Sequence, residues 1–387
     1  MLACEIDAWI KTAGHLWFEA GWDQVNGGFF EHLNSDGTPV FGEDRRVRVQ
    51  FRQIFSMSFC HHHGYVDFVD QRIDEATHFV WDRLWGAGGK AGFPHVVTPT
   101  AGVSDARRDT YDHAFAMLAF GWAHHVTGAR HIADKLSQII SFTENNLLHD
   151  QSGFKEALGV SEPRRQNPHM HCFEAYLALF ETTKNSIFLD RIEALLALFK
   201  NKFWDSEQHL LREYFSDDWS RHPSDELWNT IEPGHMAEWV WLLRRYQVLT
   251  GGDVDALCKQ VFARTTELGL DNASKCLWDG VAPDASVTKA TRRLWPQTEF
   301  LKSTIAEYNS GNSHALRSSE NSLRVLHAEY LNGKVDGGWH DQFDSKGRSL
   351  KNFMPASSHY HLVLALHEAR KSERLMQCME PCHSSVC

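Results

Sequence analysis

One kind of turn punctuates this chain at intervals of about 60 residues, and few architectures accept such a period. Its first instance is Gly27-Gly28-Phe29-Phe30-Glu31, which joins glycines, an aromatic residue and an acidic follower. Related turns lie at Gly88-Gly89 to Gly92-Phe93-Pro94 and at Gly153-Phe154-Lys155-Glu156. A degenerate one spans 209–214, another is Trp278-Asp279-Gly280, and Gly337-Gly338-Trp339-His340-Asp341 ends the series. Between the turns, apolar residues recur at i, i+3, i+4 and i+7, as in 111–126, 170–182, 187–202, 236–249 and 314–331. Strand-like alternation is short and local. Each interval thus holds two helices, about twelve in all. A helical hairpin alone cannot bury its apolar faces. Six of them in a ring make an inner and an outer layer with no exposed ends, whereas an open solenoid needs polar capping helices, and neither terminal helix has that character. The expected fold is all-α: an (α/α)6 barrel over residues 1–370 as one domain, followed by a poorly ordered tail, 371–387.

In each repeat one helix should line the ring, at about 48–63, 109–127, 168–183, 234–249, 294–309 and 354–369. Several open on proline punctuation: Asn167-Pro168, Pro233-Gly234, Trp295-Pro296 and Met354-Pro355. Their N-termini converge on one mouth, where backbone N–H groups and helix dipoles favour anionic or oxygen-rich ligands. The polar residues near those starts are Arg52, Tyr111 with His113, Asn167 with His169 and His171, His235 with Glu238, Trp295 with Gln297 and Glu299, and His359 with His361. Every repeat contributes a group, a regularity that scattered histidines would not produce, so a shared functional site is expected there. Glu238 lies three residues from His235 on the same helix face and could orient its imidazole. Arg52 stands in a largely apolar stretch and needs a buried partner or a ligand. Glu299, inside a toroid, must contact something polar. Taken singly, Tyr111, His171 and Trp295 also suit inner-layer packing, Asn167 a helix N-cap, and His361 a satisfied core histidine. His61-His62-His63 falls at the far end of its helix, as a solvated cluster.

Composition narrows the partners. Net charge is −11 with the two signs interspersed, so nothing resembles a surface for nucleic acid or anionic membranes. Residues 1–10 carry Glu5 and Asp7 and no apolar h-region, and no apolar stretch is long enough to span a bilayer, so a cytoplasmic monomer or homodimer is expected. The eight cysteines form no CxxC pair and suit a reducing cytosol. Cys378, Cys382 and Cys387 with His383 read as a frayed end rather than a metal knuckle. The 14 tryptophans offer flat apolar faces that suit sugar rings as well as a large core. No glycine-rich phosphate loop opens a helix, and no cofactor is expected. A divalent metal would require His171, His235, Glu238 and His361 to meet; none is expected.

Five ordered stretches carry a family resemblance. They are Arg48-Val49-Gln50-Phe51-Arg52-Gln53, Gln166-Asn167-Pro168-His169-Met170-His171, Glu232-Pro233-Gly234-His235-Met236-Ala237-Glu238-Trp239, Arg293-Leu294-Trp295-Pro296-Gln297-Thr298-Glu299 and Pro355-Ala356-Ser357-Ser358-His359-Tyr360-His361. Over roughly residues 5–370 the chain resembles the N-acylglucosamine 2-epimerase superfamily, and within it the mannose isomerase and aldose–ketose isomerase branch. His359 departs from that branch, which often has a non-ionisable residue there; it either alters the titration of His361 or faces away.

The resemblance implies an (α/α)6 barrel and a cofactor-free ketol-isomerase that interconverts D-mannose and D-fructose, with related aldoses such as lyxose as further substrates. It implies His235 and His361 as the acid–base pair, since an imidazole titrates near neutrality and can take and return a proton at C2. Glu238 is then expected to orient His235, and Arg52 to hold the enediolate oxygen. Tyr111, Asn167, His171 and Glu299 would fix hydroxyls, with Trp295 stacking on the ring. The alternatives are a sugar 2-epimerase, a glycoside hydrolase built on Glu238 and Glu299, and a sugar-binding protein without chemistry. Arg52 as the confident cation argues mildly for a free sugar, although Arg107, Arg108, Arg164 and Arg165 lie in loops that could reach the mouth.

Overall fold

The computed structural model describes residues 1–67, 70–160 and 162–380. Helices alternate between two layers along the chain: α1 (Ala3–His15) and α2 (Val47–His62), α3 (Asp70–Phe79) and α4 (Thr110–Thr127), α5 (Arg130–Phe142) and α6 (Gln166–Thr183). The order continues with α7 (Leu189–Leu198), a single turn α8 (Asp225–Trp228), α9 (Pro233–Thr250), α10 (Asp255–Gly269), α11 (Leu294–Asn309), α12 (Ala315–Val325) and α13 (Ala356–Lys371). The inner helices α2, α4, α6, α9, α11 and α13 pack in that sequence, and α13 returns to α2 to close the ring. Gln53 Nε2 pins the closure by donating to the Ala356 carbonyl at 2.8 Å. The fold is the (α/α)6 barrel, and each inner helix begins and ends within two residues of its expected bounds.

The two layers differ in sequence because they differ in surroundings. Outer helix α5 buries Ile132, Leu136 and Ile139, a single stripe. Inner helix α4 is buried at Thr110 and throughout 112–123, so it is apolar nearly all round. Two of the inner helices stop at glycines in the left-handed region, Gly128 (φ 64°) and Gly251 (φ 77°), which spare the Cβ penalty.

The repeated turns are docked to the inner helices by specific hydrogen bonds. The Phe29 amide donates to Gln50 Oε1 (2.6 Å), and Gln50 Nε2 returns a bond to the Phe29 carbonyl (2.9 Å). Gln297 holds Leu277 in the same two-way manner, at 2.7 and 3.0 Å. In two other repeats an imidazole takes this part. His113 Nε2 accepts from the Phe93 amide (3.1 Å) and its Nδ1 donates to the Asp109 carbonyl (2.8 Å). His169 accepts from the Phe154 amide and donates to the Arg165 carbonyl, both at 2.8 Å. His113, His169 and Gln297, counted at the mouth from sequence, are, like Gln50, latches between layers.

Short antiparallel ladders ring the mouth: His32–Asn34 with Phe353–Pro355, Arg164–Arg165 with Tyr214–Phe215, and Thr291–Arg293 with Gln342–Asp344. Each leads straight into an inner helix and fixes where its first turn points. At the opposite end, His62 packs on His125 and His63 on His367, with ring centroids 4.9 and 4.0 Å apart, beside a second cavity of about 150 Å³. The expected tail differs from expectation: α14 (Glu373–Met379) continues the fold and buries Leu375, Met376 and Met379. Their side chains supply the apolar face that orders it. Cys382, His383 and Cys387 lie outside the described residues. Among those described, no helix is long and apolar enough to cross a membrane.

Candidate active site

A cavity of about 330 Å³ opens at the N-terminal ends of the inner helices, a volume at the small end of ligand pockets. Arg52, Tyr111, Asn167, His171, His235, Glu238, Trp295 and His361 all line it. Glu299, the remaining residue expected there, lies behind His361 instead.

His235 and His361 both lie beside the indole of Trp295, with ring centroids 5.1 and 5.8 Å from it and the same 36° tilt. Their partners differ. His235 Nδ1 lies 3.1 Å from both carboxylate oxygens of Glu213. Burial alone would lower its pKa, but Glu213, with Glu232 and Glu238, outweighs burial and raises it to about 9. Asn167 Nδ2 lies 3.1 Å from His235 Nε2, and Asn167 Oδ1 has no partner. His361 Nδ1 donates to Glu299 Oε1 at 2.7 Å, which leaves Nε2 as the acceptor towards the cavity. Burial, then Arg52, Lys302 and His171, hold His361 well below the usual imidazole range. These surroundings favour the charged form of His235 and the neutral form of His361; a charged His235 requires the Asn167 amide turned so that its otherwise unpartnered Oδ1 accepts from Nε2–H.

Glu213 replaces Glu238 as the residue that orients His235, correcting the expectation from sequence. Helix spacing put Glu238 on the right face, but its Oε1 is 3.9 Å from His171 Nδ1 and without a hydrogen-bond partner. Burial, then Glu299, push Glu238 well above the carboxylate range. Glu213 stands two residues beyond Leu211 in the degenerate turn, the place of the acidic follower. Its counterparts act alike: Glu31 holds Arg46, Glu156 holds Arg165, Asp279 holds Arg293, and Asp341 accepts from Ser358 (2.6 Å). The register of the turns was the signal for Glu213.

Arg52 donates to the Tyr111 hydroxyl at 2.9 Å and lies over the Phe115 ring, while its Nε has no partner. Tyr111 stacks on His171 at 4.8 Å. His171 Nδ1 donates to Glu174 (3.0 Å), and Glu174 also accepts from the Tyr360 hydroxyl. Burial lowers His171 to about 4. His359 faces away from the cavity: its Nδ1 bonds Gln53 Oε1 (3.2 Å), and its ring lies against Trp17 and Trp339.

The rim arginines are neutralised. Arg46 pairs with Glu31, Arg165 with Glu156, and Arg293 with Glu232 at 3.1 Å. Arg108 and Arg164 are structural instead, held by backbone carbonyls that include Lys90 and Ser152, and Arg107 pairs with Asp105. Of the four groups of possible metal-ligand atoms within 4.8 Å of one another among the described residues, two lie at this site and share Glu238: His171, Glu174 and Glu238, and Glu238, Glu299 and His361. His235 joins neither. The Lys302 ammonium, 2.7 Å from Glu299 Oε2, already supplies positive charge at the second.

Residues 28–365 match the profile of N-acylglucosamine 2-epimerase (GlcNAc 2-epimerase). A protein of Rhizobium meliloti (strain 1021) named mannose-6-phosphate isomerase is 33% identical over 95% of this chain and 96% of its own. A crystal structure of D-mannose isomerase superposes with a TM-score of 0.86 at 20% identity, over 95% of this chain and 97% of that one. Cellobiose 2-epimerase from Bacillus thermoamylovorans B4167 gives 0.85 at 19% identity, over 95% and 98%.

Proposed function

The chain belongs to the N-acylglucosamine 2-epimerase family, and from that premise we propose that it is a metal-independent ketol-isomerase of free sugars, interconverting D-mannose and D-fructose. The observation that carries this reading is the pair of cavity histidines beside Trp295 whose surroundings shift them in opposite directions, His235 towards the charged form and His361 towards the neutral one. Trp295 stacks on the sugar. The charged His235 donates to the ring oxygen and takes up the C1 hydroxyl proton as the hexose opens, so it is again an imidazolium, and it then protonates the C1 aldehyde oxygen as negative charge develops. Neutral His361 takes the C2 proton on Nε2 and delivers it to C1, while the O2 proton returns to His235. Arg52, whose guanidinium lines the cavity, holds the enediolate oxygen. Tyr111, Asn167 and His171 bind hydroxyls.

A free sugar is favoured because the rim arginines are already paired with carboxylates and Glu213, Glu232 and Asp341 also line the cavity. A phosphate would meet as much negative charge as positive. The test compares D-mannose with D-mannose 6-phosphate, chelator present: a higher kcat/KM for mannose is expected, and a preference for the phosphate would overturn the free-sugar reading.

A 2-epimerase is the second reading. A charged His235, a second imidazole lining the same cavity, could return a proton to the opposite face of C2. The isomerase is preferred because the relative at 33% identity is named an isomerase, of mannose 6-phosphate; the free sugar rests on the charge of the cavity and not on that name. Hydrolysis by Glu238 and Glu299 is disfavoured, since Glu299 is bound to His361 and Lys302 outside the cavity.

A further inference from the structure

Beneath the cavity floor lies a cluster that the reaction above does not use. Glu174 from α6, Glu238 from α9 and Glu299 from α11 converge there, each at most 5% exposed. Lys302, one turn along α11 from Glu299, is fully buried among them. Its Nζ is 2.7 Å from Glu299 Oε2 and 3.8 Å from the centre of the Trp241 ring, which walls the cavity at the far end of the barrel. Glu299 offers its other oxygen, Oε1, to His361 Nδ1 at 2.7 Å. Lys302, Glu299 and His361 are therefore a continuous chain from the barrel interior to the reacting face.

Burying an ammonium costs several kcal/mol unless it is paired, and a methionine or leucine would fill the same space without that cost. Packing alone gives no reason for a lysine here. The carboxylate it touches is the one that selects the His361 tautomer. We propose that Lys302 is a positioning residue for the reaction, holding the Glu299 carboxylate against His361 Nδ1–H so that Nε2 presents its lone pair to the substrate C–H bond. Burial pushes Glu299 upward and Lys302 opposes it, with Glu174 adding to the rise and His171 opposing it; the balance leaves Glu299 raised, and loss of the ammonium would raise it further. Without the ammonium, a protonated Glu299 could hydrogen-bond His361 in either sense, and the base would lose its defined lone pair.

This inference rests on His361 being the base. It is tested by kcat and KM for Lys302→Met, Glu299→Gln and the double variant on whichever sugar the wild type turns over, with circular dichroism to check folding. Lys302→Met should lower kcat about 10- to 100-fold, part of the effect of a general base, with KM within about threefold. The double variant should match Glu299→Gln within about threefold, because Lys302 acts through that carboxylate. A folded Lys302→Met with wild-type kcat, or losses that multiply in the double variant, would overturn the proposal. If Lys302→Met does not fold, the charge-balanced double variant against Glu299→Gln decides: equal kcat supports it, and a further tenfold loss overturns it. Imidazole nitrogen NMR gives a readout independent of turnover. The Nδ1–H tautomer of His361 should be present in the wild type and lost in Lys302→Met; its persistence would also overturn the proposal. A wild type inactive on every sugar would instead refute the isomerase reading and leave the tautomer experiment standing.

Discussion

His235 and His361 touch the same indole, and their neighbours give them different charges. Replacing either with alanine should cut kcat by about 10²- to 10⁴-fold in a protein that still folds, measured by turnover beside circular dichroism. Glu213 supports a sharper test. His235 keeps its proton up to about pH 9 because Glu213 outweighs burial. Turnover that needs the imidazolium should therefore fall as pH rises through about 9 in the wild type. In Glu213→Gln the largest attraction is gone, with Glu232 left to oppose burial, so the same limb should move to lower pH. A pH–rate profile checks this, and an unmoved limb would separate Glu213 from the acid. Most of the cavity was legible residue by residue, because helix starts are punctuated and their first turns must face the mouth. Glu213 and Lys302 were not, since each acts through a partner brought close by the ring: Glu213 lies 22 residues from His235, and Lys302 reaches His361 through Glu299.

At the scale of a helix, residues two apart on one inner helix have separate tasks. His169 latches the Phe154 turn, whereas His171 lines the cavity. His169→Ala leaves a buried amide without an acceptor and should cost about 1–3 kcal/mol, seen as a lower Tm with kcat retained by the folded protein. His171→Ala should show the converse, impaired kinetics at nearly unchanged Tm. The sequence counted both at the mouth because a histidine two residues before a site residue has no local mark of its role; the turn it accepts from is 15 residues away. Gln50 and Gln297 share that place in other repeats, which shows that the position wants an acceptor rather than an ionisable group.

Across the whole molecule, the ring was legible because a period of about 60 residues admits few closures. The collar of ladders was not, since strands of two or three residues leave no alternation to read. Nor was α14, whose three buried side chains lie beyond the last clear repeat. Truncation after Ser372 should therefore destabilise the barrel, at about 1.5–3 kcal/mol for each fully buried side chain lost, and thermal melts of the two lengths check this. The account as a whole claims that this ring brings a neutral and a charged imidazole to the two sides of one sugar. Proton NMR of the purified protein with D-mannose in deuterium oxide, chelator present, tests that claim most directly. Fructose as the first product, with solvent deuterium appearing in recovered hexose, is the predicted result. Glucose as the first product would contradict the isomerase and support the 2-epimerase, and mannose left unchanged, together with every other free sugar tried, would contradict the account.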